Sequence, residues 1–506
     1  MNLVAALGIA LLGFWIQVRP RLVNRYYGVD AWRHLVVAEY IRRHRRYPGR
    51  MPERYLIDEP CDYPPLFRYL LALIPRRVLE KYQWAVSPCM DLCHNLLLFG
   101  VAWCLSGVPA VGWIAQLLYM STPLVVMENA SLTTRSCSSL LFTVAAGGLT
   151  LGVATGSWGF GVAGVCGIAL LVLTHKMALQ ALVVFAGGVG ILSGTPLYVL
   201  GVVAGMALAV AASRGFYLKV FAGHGAMLAW WRQNIRYRYA HQVRGLPHAS
   251  SPTPDRVFWL FQQIRKAPWT AVIGANPWAL VVVGIVLWAS WTGQWEVWGL
   301  PEAMAVPLAH WCVVLWLAAL AIRSIRAVEF LGEGERYLEY AAFPVALLTG
   351  SWLWRHLPTP WGPEVLAGAI GVIVLGCLLP VFLLQRTLVS HDEDRSVTSE
   401  LRRLFARINT LPGEVRLASF PLYLADSAMY FTRAKVLSTD STFGHLRHYT
   451  PFFPVLRVSV DDLVKRYGLT HLLVNERFVG VLELKVDPQA VIAREGPFCL
   501  IGTNGA

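Results

Sequence analysis

The chain has 506 residues, 56% of them hydrophobic and only 15% charged, with a formal net charge of +14. Soluble domains carry about 25% charged residues, so with a mean hydropathy of +0.49 the composition excludes an ordinary soluble enzyme over most of the length. It points to a polytopic α-helical membrane protein whose arginines, lying beside apolar runs, face lipid phosphates or anionic head groups rather than nucleic acid.

Apolar segments of near-spanning length predict about eleven transmembrane helices, at 2–18, 85–105, 108–127, 137–154, 158–174, 177–193, 195–212, 275–292, 305–322, 337–354 and 365–385. The first carries no small-residue cleavage site after it and reads as a retained span. A long polar region, 19–84, follows it. This region holds Tyr63-Pro64-Pro65-Leu66-Phe67 and an apolar stretch ending at Pro75 that is too short to span, so it is re-entrant or interfacial. A second long connection covers 213–272. Residues 386–506 read as a separate small α/β domain, with strands at 415–420, 434–438, 470–475 and 498–502 and helices at 399–408 and 460–467. The expected organisation is a membrane domain, 1–385, and a soluble domain, 386–506.

Five segments carry groups that do chemistry. In Gly28-Val29-Asp30-Ala31-Trp32-Arg33-His34, the Asp30 carboxylate and the His34 imidazole are four residues apart and share one face if helical. Asp30 suits a general base for an acceptor hydroxyl or amine; it also suits a helix N-cap. The turn from Glu128 to Arg135 offers a carboxylate that can ligate a metal or position an acceptor, and a guanidinium for phosphate; a plain Glu128–Arg135 ion pair is the alternative. His175 and Lys176 stand between two apolar runs and suit an anionic ligand, or else a structural His beside a snorkelling Lys. Trp230-Trp231-Arg232 and Arg236-Tyr237-Arg238-Tyr239 read as an interfacial helix. In Glu329 to Tyr340, Arg336 either grips phosphate with Glu339 holding it, or simply pairs with Glu339. Gly332 and Gly334 leave the backbone there free near a ligand. Most of the nine cysteines are small core residues; Cys61, Cys89 and Cys93 allow a disulfide.

Alternation of the eleven spans gathers all these polar segments, with the C-terminal domain, on one face. The connections on the other face (106–107, 155–157, 194, 293–304 and 355–364) are short and nearly neutral. Ten arginines lie between Arg19 and Arg54, and the positive-inside rule alone would turn that face toward the cytoplasm.

These motifs, in this order, resemble the GT-C superfamily of integral membrane glycosyltransferases, of the protein mannosyltransferase and aminoarabinose transferase kind. The residues that carry the resemblance are Gly28-Val29-Asp30, Asp62-Tyr63-Pro64-Pro65-Leu66, Glu128 with Thr134-Arg135, Leu173-Thr174-His175-Lys176 and Glu335-Arg336-Tyr337-Leu338-Glu339-Tyr340. The resemblance implies transfer of a hexosyl or pentosyl group from a polyprenyl-phosphate-linked donor to a lipid, glycan or protein acceptor. It further implies inverting chemistry, with Asp30 as base and Glu128 assisting, Arg135, His175, Lys176 and Arg336 on the donor phosphate, and His34 and Glu339 supporting. A divalent metal is compatible with these motifs but not required by them. The implied topology puts the N-terminus in the cytoplasm, with the active site and C-terminal domain outside the plasma membrane. The first loop has no DxD pair and the chain no WWD-type motif, which argues against an N-glycosylation enzyme. The competing reading is a transporter or flippase of polyprenyl-linked or other anionic lipids, which predicts ionisable groups at the bilayer midplane and broken spans in repeated halves.

Overall fold

The computed structural model describes residues 1–247, 256–356, 358–439 and 444–503. Of the expected connections, 248–255 in the second long loop and 357 in 355–364 lie outside the described residues. The chain forms two compact units. One comprises Met1–Val23, Trp84–Tyr217 and Ala267–Ser390; the other comprises Asn24–Gln83, Leu218–Lys266 and His391–Ala506.

The first unit is helical throughout its regular structure, and a helix stands at each of the eleven expected apolar segments. Five helices are long and apolar enough to cross a membrane: Asn2–Val23, Arg76–Ser106, Arg135–Thr155, Glu302–Ser324 and Ala367–Ser390. The number becomes seven if each of two bent pairs is one span. Both bends fall at proline. Pro109–Met120 turns by 63° into Pro123–Asn129, and Pro268–Ala275 by 96° into Pro277–Thr292. A proline at the first helical position lacks the N–H that the preceding helix would need to run on. Three shorter apolar helices, Trp158–Val172, Lys176–Leu192 and Leu197–Ala212, complete the apolar set. The chain is thus an integral membrane protein.

The second unit is built around a mixed five-stranded sheet. Its strands are β1 (Arg416–Phe420), β2 (Lys435–Val436), β3 (His471–Asn475), β4 (Val491–Glu495) and β5 (Phe498–Gly502), in the order β2-β1-β3-β5-β4. β1 runs parallel to β2 and β3, while β5 runs antiparallel to β3 and β4. β3 lies at the centre with all five residues buried, as expected for a strand covered on both faces. Two amphipathic helices are framed by local signals. Thr398 caps Ser399–Thr410 through the Leu401 amide, and the helix buries Leu401, Leu404, Phe405 and Ile408 along one stripe. Ser459 caps Val460–Tyr467, which ends at left-handed Gly468.

The C-terminal region does not close its core alone. Residues 54–56 pair along β2, with Leu56 N–H donating to Val436 O and Val436 N–H to Arg54 O, both at 2.9 Å. Ile57 and Tyr63 from the first loop, and Met227 and Trp230 from the second, join the core beneath the sheet. Trp230 stacks on Phe453 at 5.8 Å between ring centres. Within the aromatic–arginine stretch, Trp230 thus contributes a core aromatic, packed against Phe453 and Tyr449, where its burial removes apolar surface from water.

Candidate active site

In the first unit, the residues from three distant segments meet. The helix Pro123–Asn129 carries Glu128 near its end, and the helix Arg135–Thr155 opens with Arg135. The turn between them is clamped. Buried Arg21 donates Nη1–H to Ala130 O at 2.9 Å, Ser87 Oγ accepts from the Thr133 amide at 3.2 Å, and Thr133 Oγ1 accepts from the Arg135 amide at 3.3 Å. Glu128 and Arg135 form an ion pair, so the pairing that the sequence left open is present.

One turn into that helix, Ser139 Oγ donates to Glu339 Oε1 at 3.0 Å. Ser138 Oγ lies 3.4 Å from the Tyr340 hydroxyl, which is also 3.1 Å from His175 Nδ1. His175 is the extended residue just before the helix Lys176–Leu192, and Lys176 is that helix's first residue. Trp311 Nε1–H donates to Tyr340 O at 3.1 Å, and Tyr337 OH donates to Gln180 Oε1 at 2.9 Å. Glu128, Arg135, His175, Glu339 and Tyr340 therefore belong to one connected polar cluster. It sits where three apolar helices begin, at Arg135, Lys176 and Ala342, and the positive ends of helix dipoles favour an anion at such a place.

The carboxylate partner of Arg336 differs from the expected one: it pairs with Glu333, not with Glu339. Residues 334–339 wind as a 3₁₀ helix, in which positions three apart eclipse, and Ser139 takes Glu339 inward. Glycine at 334 also has a different reason. A Cβ there would lie 2.2 Å from Ala319 O, so the residue permits close packing on the helix Glu302–Ser324 rather than mobility. That contact is reinforced by a buried two-pronged ion pair between Arg323 and Glu335.

Asp30 and His34 belong to the second unit. Gly28 adopts φ 111 and gives its amide to Arg395 O at 3.0 Å, which directs the chain into the helix Asp30–His44. Val29 occupies the N-cap and makes no side-chain cap bond, so Asp30 is the first helical residue rather than the cap. Its carboxylate is 49% exposed and lies 3.5 Å from Arg33 Nη2. His34, expected on the same face, is buried. Its Nδ1 accepts from Arg68 Nε–H at 3.3 Å, and its ring meets Tyr63 and Phe67 edge-on. The helix Leu66–Leu73, with the segment before it, closes over His34 and leaves Asp30 open at the helix start. The Arg68 guanidinium lies 4.4 Å from the Tyr63 ring centre. His34 thus positions a buried arginine.

Arg68, Ser138, Ser139 and the Tyr340 hydroxyl had no assigned role at the level of sequence. A signal was present for the serines: Ser136, Ser138 and Ser139 interrupt an otherwise apolar helix. Arg68 sits in an apolar octad and gave none. All nine cysteines are free, correcting the disulfide option, and burial pushes the Cys61 thiol up to about 12. Among the described residues, no three His, Cys, Asp or Glu side chains gather to hold a metal ion.

No family model and no curated protein matches the chain. Solved structures do. The oligosaccharyltransferase AglB from Archaeoglobus fulgidus, in complex with an inhibitory peptide and a dolichol-phosphate, aligns with a TM-score of 0.58 at 10% identity, over 93% of this chain and 69% of that one. The apo form of the Archaeoglobus fulgidus oligosaccharyltransferase gives 0.61 at 12% identity, over 92% and 69%. ArnT from Cupriavidus metallidurans bound to undecaprenyl phosphate gives 0.56 at 14% identity, over 100% of this chain and 98% of that one. These likenesses, together with the membrane helices and the small C-terminal sheet, show that the chain has the fold shared by the Archaeoglobus fulgidus oligosaccharyltransferase and ArnT structures.

Proposed function

We propose that the protein is a membrane glycosyltransferase that takes a sugar from a polyprenyl-phosphate-linked donor and passes it to a lipid, glycan or protein acceptor. The observation that carries this reading is the polar cluster at three helix N-termini, with Glu128–Arg135, His175–Tyr340 and Ser139–Glu339 tied together. Fold neighbours bound to dolichol-phosphate and undecaprenyl phosphate support the donor class.

A lipid-linked donor is apolar along its tail and anionic at its phosphate, so it wants cations at the ends of apolar helices. Arg135, His175, Lys176 and Arg336 are the proposed phosphate ligands. Arg135 and Arg336 are held by Glu128 and Glu333, so an arriving phosphate exchanges one anionic partner for another. That exchange releases Glu128 to assist the acceptor, and Glu339 to Ser139 keeps the adjoining helix start in place. Preorganised cations of this kind stabilise charge as it develops on a leaving phosphate.

Asp30, exposed at a helix start beside Arg33, is the proposed base. In an inverting displacement, the acceptor oxygen or nitrogen bonds to the anomeric carbon as the bond from that carbon to the phosphate oxygen breaks. The electron pair leaves with the polyprenyl phosphate, and the acceptor proton passes to the Asp30 carboxylate. The proposed topology places these groups and the sheet-containing unit outside the plasma membrane.

Sugar transfer in proteoliposomes tests the proposal, using radiolabelled polyprenyl-phosphate sugars and a membrane-lipid and glycan extract as acceptor. Wild type is expected to transfer label. Asp30→Asn should lower the rate by about 10²–10⁴-fold, the range for a positioned acid or base. Arg135→Gln should lower kcat/KM by about 10²-fold or more. Full activity in folded Asp30→Asn would remove it as base, and full activity in Arg135→Gln would remove the cluster as donor site.

A further inference from the structure

Within the second unit lies a cleft of about 400 Å³ lined by Glu39, Arg43, Arg46, Arg54, Arg76 and Tyr430, among others. It contains none of the residues assigned above to transfer. Four arginines line it against two carboxylates, Glu39 and Glu53. Glu39 is already engaged: it accepts from Arg43 Nε at 2.8 Å and pairs with Arg42. Arg46 has no acidic partner among the described residues.

Arg54 sets the geometry. Its Nη1 donates to Met429 O at 3.1 Å and Thr432 O at 3.0 Å, at the end of the helix Leu424–Phe431, so backbone acceptors fix the guanidinium. Burial first, and then the like charges of Arg43 and Arg76, hold the Arg54 pKa below its usual value against the opposing pull of Glu53. Arg76 lies 4.0 Å from Glu80, whose other engagement is the Tyr430 hydroxyl at 2.9 Å. Crowding cations around a concavity is unfavourable unless an anion fills it, and guanidinium forks match phosphate oxygens. The walls also present flat groups. Tyr40 and His44 lie 4.3 Å apart at their ring centres, and both line the cleft with Tyr430. The volume falls in the range of small-molecule sites of about 300–1,000 Å³, enough for a compact head group but not for a polyprenyl chain.

We propose that this cleft is a second anion site, separate from the transfer cluster, that takes a phosphate ester carried on a compact polar group such as a sugar. The site goes beyond the proposed transfer reaction and does not rest on it. The same chemistry is offered by a soluble sugar phosphate and by a phosphorylated lipid head group.

The test uses the full chain in phosphatidylcholine nanodiscs, titrated calorimetrically with glucose 1-phosphate. Binding that weakens as salt is raised is expected for wild type. The double variant Arg43→Gln, Arg76→Gln removes two exposed guanidinium groups and should weaken binding about tenfold or more, without a change in thermal midpoint. If phosphatidic acid in the nanodisc suppresses glucose 1-phosphate binding to wild type, the ligand is a lipid head group. If it does not, the ligand is a soluble ester. Absence of binding in wild type, or equal affinity in a folded double variant, would overturn the site. Neither result bears on sugar transfer, which is measured separately.

Discussion

In the membrane unit, the side chains of Arg135 and Arg323 are 11% and 2% exposed, each against a carboxylate. In the second unit, Arg43 and Arg76 remain 60% and 50% exposed, in a cleft where arginines outnumber carboxylates. The contrast follows from solvent. A charge among apolar helices is costly unless it is paired and hydrogen-bonded, so arginines there come with built-in partners and a ligand must displace them. A charge facing water is hydrated, and the second unit can hold cations in excess for a ligand to neutralise.

The largest test of this contrast is the Arg323–Glu335 pair. Replacing Arg323 with Ala strands a buried carboxylate and should destabilise the protein by about 3–5 kcal/mol. Joint replacement of Arg323 by Met and Glu335 by Leu should recover most of that loss. Thermal unfolding in detergent measures both, and a neutral Arg323→Ala would break the comparison.

A titratable group in the second unit gives the next effect. His445 is buried, with Nδ1 2.9 Å from Ser438 Oγ and its ring edge-on to Tyr55. Burial first, and then the neighbouring charge of His448, lower its pKa to about 3. An unfolded histidine takes its proton near pH 6.5. The unfolded state therefore binds more protons between about pH 6.5 and 3, and stability falls as pH is lowered through that window. The loss should reach about 2 kcal/mol by pH 5. Melting curves at pH 7.5 and 5 should show it, and His445→Gln should flatten the dependence.

The smallest effect sharpens the first unit's side. Tyr340→Phe removes the hydroxyl shared by Ser138 and His175 and should cost about 1–2 kcal/mol of stability. It should also lower donor affinity more than maximal transfer rate, because its proposed part is to hold the phosphate-side cluster. An equal fall in both would place Tyr340 in the chemical step instead.

Helix positions were legible in the chain because a long apolar run permits little else, and a helix stands at each of the eleven expected segments, of which five, or seven counting each bent pair as one, are long and apolar enough to cross a membrane. The C-terminal strands and helices were legible for the same local reasons: β1, β3 and β5 fall within one residue of their expected bounds. The short helix Leu424–Phe431 and the edge strand β4, with its alternating partial burial, lacked a strong local pattern and were not anticipated. The gathering of Glu128, His175 and Glu339 was foreshadowed by the alternation of spans, which put their connections on one face.

Pairing and partnership were another matter. Arg336 has Glu333 and Glu339 at equal sequence distance, and only the Ser139 contact from another helix separates the two choices. Asp30 and His34 share a helix face by spacing, yet the packing of Leu66–Leu73 buries one and leaves the other open. The two long loops read as polar connections, but Ile57, Tyr63, Met227 and Trp230 complete the core of the sheet-containing unit. Composition and periodicity determine which segments are apolar helices and which carry charge, because those are properties of neighbours along the chain. Which charge meets which partner depends on contacts between segments tens to hundreds of residues apart, and local spacing holds no record of them.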